Sequence, residues 1–311
     1  MASLNLKTAF LFPGQGAQVV GMTADLADTP VGQEYFSQAN EILGYDLLDL
    51  CSNGPEEKLN STVYSQPAIF TVSAVLLKLL QTQQPDLIPD VTAGLSMGEY
   101  SALFAADLID FESGLKLVQK RGQAMQTAAE TSSGSMVSIL GLDEEKIHQL
   151  CQKASEGQIL EPVNFNCPGQ IVISGDIDAC QRAVQEAESF GAMKAVPLSV
   201  AGAFHTSLMA PAAEALKEAL NASRIQDPDS IQVIANINAQ YYQSAEEIRN
   251  GLVKQLVEPI LWQKCMEQLL ADGVERFYEI GPGRVLTGLM KRIHRKTPVR
   301  CINSAQSITE Q

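Results

Sequence analysis

Gly94-Leu95-Ser96-Met97-Gly98 spells G-x-S-x-G, with an apolar run from Val91 to Leu95 before it and helical patterning after it. Two glycines permit a tight turn that lifts the Ser96 hydroxyl to the carboxyl edge of a sheet. The Met97 N–H, among the first amides of the next helix, is then placed to receive a developing oxyanion. An incidental serine in a glycine-rich turn is the competing reading of the motif alone. A serine hydroxyl is a weak nucleophile at neutral pH and needs a base within hydrogen-bond reach. Of the three histidines, His148 falls inside a helical stretch and His294 in the charged run Lys291 to Lys296, which reads as a solvated helix end. His205, in Ala201-Gly202-Ala203-Phe204-His205, follows a strand and a glycine and precedes a helix. It is the candidate base, because a nearby helix amino terminus disfavours imidazolium; a satisfied structural histidine is the alternative. Arg121 stands in an otherwise apolar helix, among Leu115, Leu117, Val118, Ala124 and Met125. A charge there must be paired, either with a carboxylate of the fold or, through its planar fork, with an anionic substrate.

The elements that carry these residues alternate. Thr8 to Phe12 reads as a buried strand entering Pro13-Gly14-Gln15-Gly16, and Val91 to Leu95 as a second one entering the serine turn. Helices are expected over Gln33 to Leu43, Gln66 to Gln81, Ser101 to Ala106 and Phe111 to Ala129. From about Gly134 the elements become short: strand Ser135 to Leu140, helix Asp143 to Ala154, strands Ile159 to Phe165 and Ile171 to Ser174 around a hairpin turn, helix Ile177 to Phe190, strand Met193 to Leu198. That order, βαββαβ, is the ferredoxin-like split arrangement. Beyond it, helix Ala212 to Leu220, strand Ile231 to Ile237, helices Ala245 to Val257 and Trp262 to Ala271 and strand Arg276 to Ile280 restore the alternation. A last helix is expected to start near Arg284. The expected fold is therefore α/β, with a mostly parallel sheet covered on both faces and an inserted ferredoxin-like subdomain. The expected division is 1–131 with 202–311 for the large domain and 132–201 for the small one.

Composition narrows the function. The chain has 311 residues, 45% hydrophobic and 19% charged, with 22 basic against 36 acidic side chains and a formal charge of −14. That balance opposes nucleic-acid and membrane-surface binding. Six scattered cysteines without a C-x-x-C pair suggest a reducing cytosol. The first residues lack the apolar length of a signal peptide. Apolar runs such as Ala74 to Leu80, interrupted by Lys78, fall short of the roughly 18 to 20 residues of a membrane span.

Several motifs in order resemble one family, the malonyl-CoA:acyl-carrier-protein transacylases of fatty-acid synthesis and the related polyketide synthase acyltransferases. They are Phe12-Pro13-Gly14-Gln15-Gly16, Tyr64 to Ala68, Ser96 to Leu103, Arg121-Gly122, Pro162 to Asn166 with Pro168-Gly169-Gln170, His205 with Leu208-Met209 and Pro211, and Glu279 to Leu289. The resemblance covers nearly the whole chain and implies a hydrolase-like α/β domain with a ferredoxin-like insert. It implies Ser96 as nucleophile, His205 as base, Arg121 as the bidentate holder of the malonyl carboxylate, and the amides of Gln15 and Met97 as the oxyanion hole. Gln255 would help hold the histidine where hydrolases use an acid, and Gln66 and Asn164 would line the pocket. Phe204 matches the aromatic of malonyl-using polyketide acyltransferases. The implied reaction is ping-pong transfer of malonyl from malonyl-CoA through Ser96 to the phosphopantetheine thiol of acyl carrier protein, without metal or redox cofactor, by a cytoplasmic monomer. A free-standing polyketide acyltransferase, a serine thioester hydrolase and a non-catalytic scaffold are the alternatives. One departure stands out: the family usually has histidine where this chain has Leu95, so a polar neighbour of the malonyl group is lost, which bears on rate and acyl choice. Lys194 and the Lys291 to Lys296 run are the candidate docking patch for an acidic carrier.

Overall fold

The computed structural model describes residues 6–309. Among these residues nine strands form two sheets. The first is all parallel, in the order β7-β2-β1-β8-β9, from β1 (Thr8–Phe12), β2 (Val91–Gly94), β7 (Gln232–Val233), β8 (Arg276–Ile280) and β9 (Val299–Ile302). The central strands β1 and β2 are buried along their whole length, as strands covered on both faces must be. Their register sets Phe12 beside Gly94, so the Gln15 loop and the Ser96 turn leave the sheet side by side. The second sheet is antiparallel, in the order β4-β5-β3-β6, from β3 (Gly134–Leu140), β4 (Leu160–Cys167), β5 (Gln170–Asp176) and β6 (Lys194–Pro197). With helices Glu144–Ser155 and Ile177–Glu186 it completes the expected βαββαβ unit around its own apolar cluster, which includes Ile139, Ile147, Leu150 and Ile173.

Helix Phe111–Glu130 begins where the Asp110 carboxylate accepts from Ser113 N–H. It packs against helices Thr62–Gln83 and Ala210–Ala222, and these long helices bring Gln66 and Arg121 beneath the carboxyl ends of β1 and β2. Helix Thr62–Gln83 departs from the expected Gln66 to Gln81. Its 22 residues are long and apolar enough to cross a membrane by composition, but its most apolar window is 83% buried within the protein, so its hydrophobicity is spent on the core.

Elsewhere the differences are local. The expected strand Ile231 to Ile237 pairs only at Gln232–Val233, because the chain then doubles back, with Ala235 N–H donating to the Gln240 carbonyl and Ala239 at φ 54. The expected helix Ile177 to Phe190 is α-helical to Glu186 and tightens into a 3₁₀ turn at Ala187–Phe190, which Gly191 closes. The helix after Ser96 starts earlier than Ser101, at Gly98, and the one expected to reach Val257 stops at Lys254. Strand β9 is an edge strand too short for the alternation to announce it. Arg292 belongs to a run read as solvated, yet it reaches the β4–β5 hairpin, donating to Gln170 Oε1 at 2.8 Å and to the Pro168 carbonyl at 3.3 Å. All six cysteines are free, five of them buried.

Candidate active site

Only glycine fits the turn at Ser96. A Cβ on Gly94 would meet the Gly98 carbonyl carbon at 1.9 Å, and one on Gly98 would meet the Phe12 carbonyl oxygen at 2.3 Å. Between them Ser96 is held at φ 52, a left-handed conformation that costs a non-glycine residue energy and that the close packing enforces. Asn236 secures the turn from the opposite side: its Oδ1 accepts from Ser96 N–H at 2.7 Å and its Nδ2 donates to the Gly94 carbonyl at 2.8 Å.

His205 is also left-handed, at φ 63, in the loop between β6 and the short turn Ser207–Met209. Its Nε2 stands 3.1 Å from Ser96 Oγ, and its Nδ1 lies 2.5 Å from the Gln255 backbone carbonyl. A carbonyl only accepts, so Nδ1 carries the proton and Nε2 offers its lone pair to the serine. Burial, and then the charge of Arg121, push the imidazole pKa down to about 3, against the opposing pull of the Gln255 carbonyl. The neutrality expected of this ring comes chiefly from desolvation and a neighbouring cation, and the helical segment expected after it does begin close by, at Ser207, running on through Ala210–Ala222.

Arg121 is 1% exposed. Its Nη1 donates to Gln66 Oε1 at 2.9 Å, and its Nη2 to Ser96 Oγ at 3.0 Å and to Gln255 Oε1 at 3.1 Å. Its Nε has no partner, and among the described residues no carboxylate lies within ion-pair distance of it. Of the two readings of this arginine, a carboxylate of the fold is therefore removed. A cleft of about 110 Å³ opens over Ser96, Arg121 and His205. Gln15 and Phe204 border it, Met125 and Met136 make its apolar wall, and Asn164 presents a buried Oδ1 without a partner. Gln66 sits behind Arg121, its Nε2 on Met125 Sδ at 3.5 Å. The backbone N–H groups of Gln15 and Met97 make no hydrogen bond among the described residues. His148 and His294 are exposed, His148 facing Glu144 one helical turn away and His294 bonded to Thr297.

A family model described as "Acyl transferase domain" matches residues 9–309. The chain is 46% identical over 286 residues, 92% of each protein, to the malonyl CoA-acyl carrier protein transacylase of Escherichia coli K12. The chain belongs to the malonyl CoA-acyl carrier protein transacylase family. It superposes with a TM-score of 0.94 on the solved transacylase of Coxiella burnetii, at 38% identity and covering 97% of this chain and 96% of that one. A malonyl-transacylase solved in complex with a type II polyketide synthase acyl-carrier protein gives 0.93 at 43% identity, with 97% of both chains covered. As a member of this transacylase family the chain is an acyltransferase.

Two residues of the candidate site escaped the sequence. Asn236 sat inside an expected strand, and Glu99 fell in the turn ahead of a helix expected to start only at Ser101. Glu99 is fully buried, and its signal was available: a single charge in Gly98 to Ala105, an otherwise uncharged helix, the same anomaly that drew attention to Arg121. Leu95 is half-buried and packs on the core cluster that holds Trp262 and Met266, and it does not line the cleft.

Proposed function

We infer that this chain transfers a malonyl group from malonyl-CoA to the phosphopantetheine thiol of an acyl carrier protein, in fatty-acid biosynthesis, through a malonyl-Ser96 intermediate. The observation that carries the reading is Arg121, a buried guanidinium with no carboxylate partner and an unbonded Nε, 3.0 Å from the nucleophilic oxygen. A desolvated cation beside a reactive serine selects an acyl group that brings its own negative charge.

The steps follow from the donors and acceptors. His205 Nε2 takes the Ser96 proton as Oγ attacks the thioester carbonyl. The tetrahedral oxyanion is received by the Gln15 and Met97 N–H groups, whose hydrogens are uncommitted. Collapse breaks the C–S bond, and CoA leaves with the proton from His205. The carrier thiol then gives its proton to His205, attacks the malonyl ester and regenerates Ser96. Gln255 holds His205 through its carbonyl, Gln66 orients Arg121, and Asn164 and Phe204 shape the cleft. No metal or redox cofactor takes part. The division 1–131 with 202–311 and 132–201 assigns the chemistry to the large domain, and the protein works as a cytoplasmic monomer. The 43% identical relative bound to a polyketide carrier favours a second reading, in which the carrier belongs to a polyketide synthase.

Intact-protein mass spectrometry after brief incubation with malonyl-CoA tests the reading. Wild type is expected to gain one malonyl group and Ser96→Ala none, and a holo carrier protein is expected to discharge the adduct. Parallel discharge by a fatty-acid and a polyketide carrier ranks the two pathways. Release of CoA with no adduct, or an adduct that decays equally fast without carrier, would establish a hydrolase instead.

A further inference from the structure

Glu99 is a fully buried carboxylate, yet no cation lies within ion-pair distance of it among the described residues. Three donors face it instead. Tyr242 Oη donates to Oε1 at 2.5 Å, while Asn236 N–H and Gln255 Nε2 donate to Oε2 at 3.1 and 2.9 Å. Two of these donors also hold the reacting pair. Asn236 clamps the Ser96 amide, and Gln255 touches His205 through its carbonyl, Arg121 through Oε1 and the Ser96 carbonyl through Nε2. A glutamine of the same shape would reproduce the bonds, its Oε1 accepting from Asn236 and Gln255 and its Nε2 donating to Tyr242. It would not reproduce the negative charge.

That charge answers a need of the site. When Ser96 gives up its proton, an imidazolium forms in a pocket that already holds Arg121, and no carboxylate touches the ring. We propose that Glu99 is a positioning residue of the transfer reaction, acting through Gln255: it fixes the carbonyl that orients His205 and supplies, one residue removed, the negative charge that a serine hydrolase places directly on its histidine. The proposal rests on the Ser96–His205 chemistry inferred above. The charged and titratable groups facing Glu99 are Arg121, Tyr100, Tyr242 and Cys265, with His205 beyond Gln255. Burial raises the Glu99 pKa to about 7, and the Tyr242 hydrogen bond is the largest influence lowering it. Glu99 therefore changes charge near neutrality, well above the about 3 of His205.

The test is the pH dependence of Ser96 labelling by an alkyl fluorophosphonate, a probe that needs neither malonyl-CoA nor carrier. The Oγ–P bond forms, the P–F bond breaks, fluoride leaves and the serine proton passes to His205. In wild type the rate is expected to step down as pH falls through about 7. Glu99→Gln is expected to label about 10- to 100-fold more slowly than wild type above the step, a fraction of what a positioned base contributes, and to show no step. Tyr242→Phe removes the bond that holds the Glu99 pKa down, so its step should move to higher pH with the upper rate kept. This variant carries the test if Glu99→Gln does not fold. A Glu99→Gln profile that retains the wild-type rate or the wild-type step, or a Tyr242→Phe step that does not move, overturns the proposal. Malonyl loading of wild type, measured separately by mass, decides the transfer reading independently of these profiles.

Discussion

Replacing Arg121 with alanine should separate malonyl from acetyl loading. A malonyl carboxylate on the guanidinium fork makes two charge-assisted hydrogen bonds, each contributing about 1.5 to 3 kcal/mol. Their loss, about 3 to 6 kcal/mol together, amounts to about 10²- to 10⁴-fold in kcat/KM. Truncation has a second consequence, because Gln66 Oε1 and Gln255 Oε1 both lose their donor, each at about 1 to 3 kcal/mol where the acceptor stays buried. That disturbance is common to both acyl groups and cancels in their ratio. Acetyl-CoA offers no carboxylate, and in wild type it leaves the buried guanidinium unpaired, a burden the variant no longer carries. The malonyl-to-acetyl ratio is therefore expected to fall by about 10²- to 10⁴-fold, read as single-turnover CoA release from each thioester under identical conditions. Arg121→Lys, which keeps the charge and loses the fork, should fall between. Equal losses with the two substrates would refute the carboxylate-clamp reasoning.

Two further outcomes are expected. Asn236→Ala strands the Ser96 amide and the Gly94 carbonyl at a buried position, about 1 to 3 kcal/mol each, so Tm should fall by several degrees and kcat should drop with KM for malonyl-CoA held; an unchanged melting curve contradicts this. Exchanging the exposed Lys194 and Lys291 for glutamate should raise KM for carrier and leave malonyl loading untouched; an unchanged KM places the docking surface elsewhere.

What the sequence discloses and what it hides divide along a physical line. Ser96 was legible because the chemistry of a nucleophile turn demands small residues at fixed offsets, and these are local. Arg121 was legible because a charge among apolar helix positions is an anomaly within one element. His205 emerged by elimination among three histidines, while its orientation by the Gln255 carbonyl is a backbone interaction 50 residues away that no side-chain type encodes; the role given to Gln255 came from family likeness alone. Asn236 and Glu99 act across 140 and 156 residues, on Ser96 and Gln255 respectively, and such partnerships exist only after the sheet is assembled. The truncation of β7 belongs here too. Pattern alone favoured continuing the strand, and the turn that brings the chain back from Ala235 to Gln240 ends it.

The cleft is built from two sources. Ser96, Arg121 and Gln15 project from the layers around the parallel sheet, whereas Met136, Asn164, Val172, Leu198 and Val200 come from the second sheet and the segment that leaves it. Much of the wall around the acyl group is thus written in a different stretch of the gene from the reacting residues, while the charge selection by Arg121 and the Phe204 edge stay with the reaction. A lineage changing its extender unit can vary the smaller stretch, or exchange it whole by recombination, and inherit the reaction intact. For an engineer the same partition means that a library confined to those five wall positions explores substrate scope without revisiting catalysis.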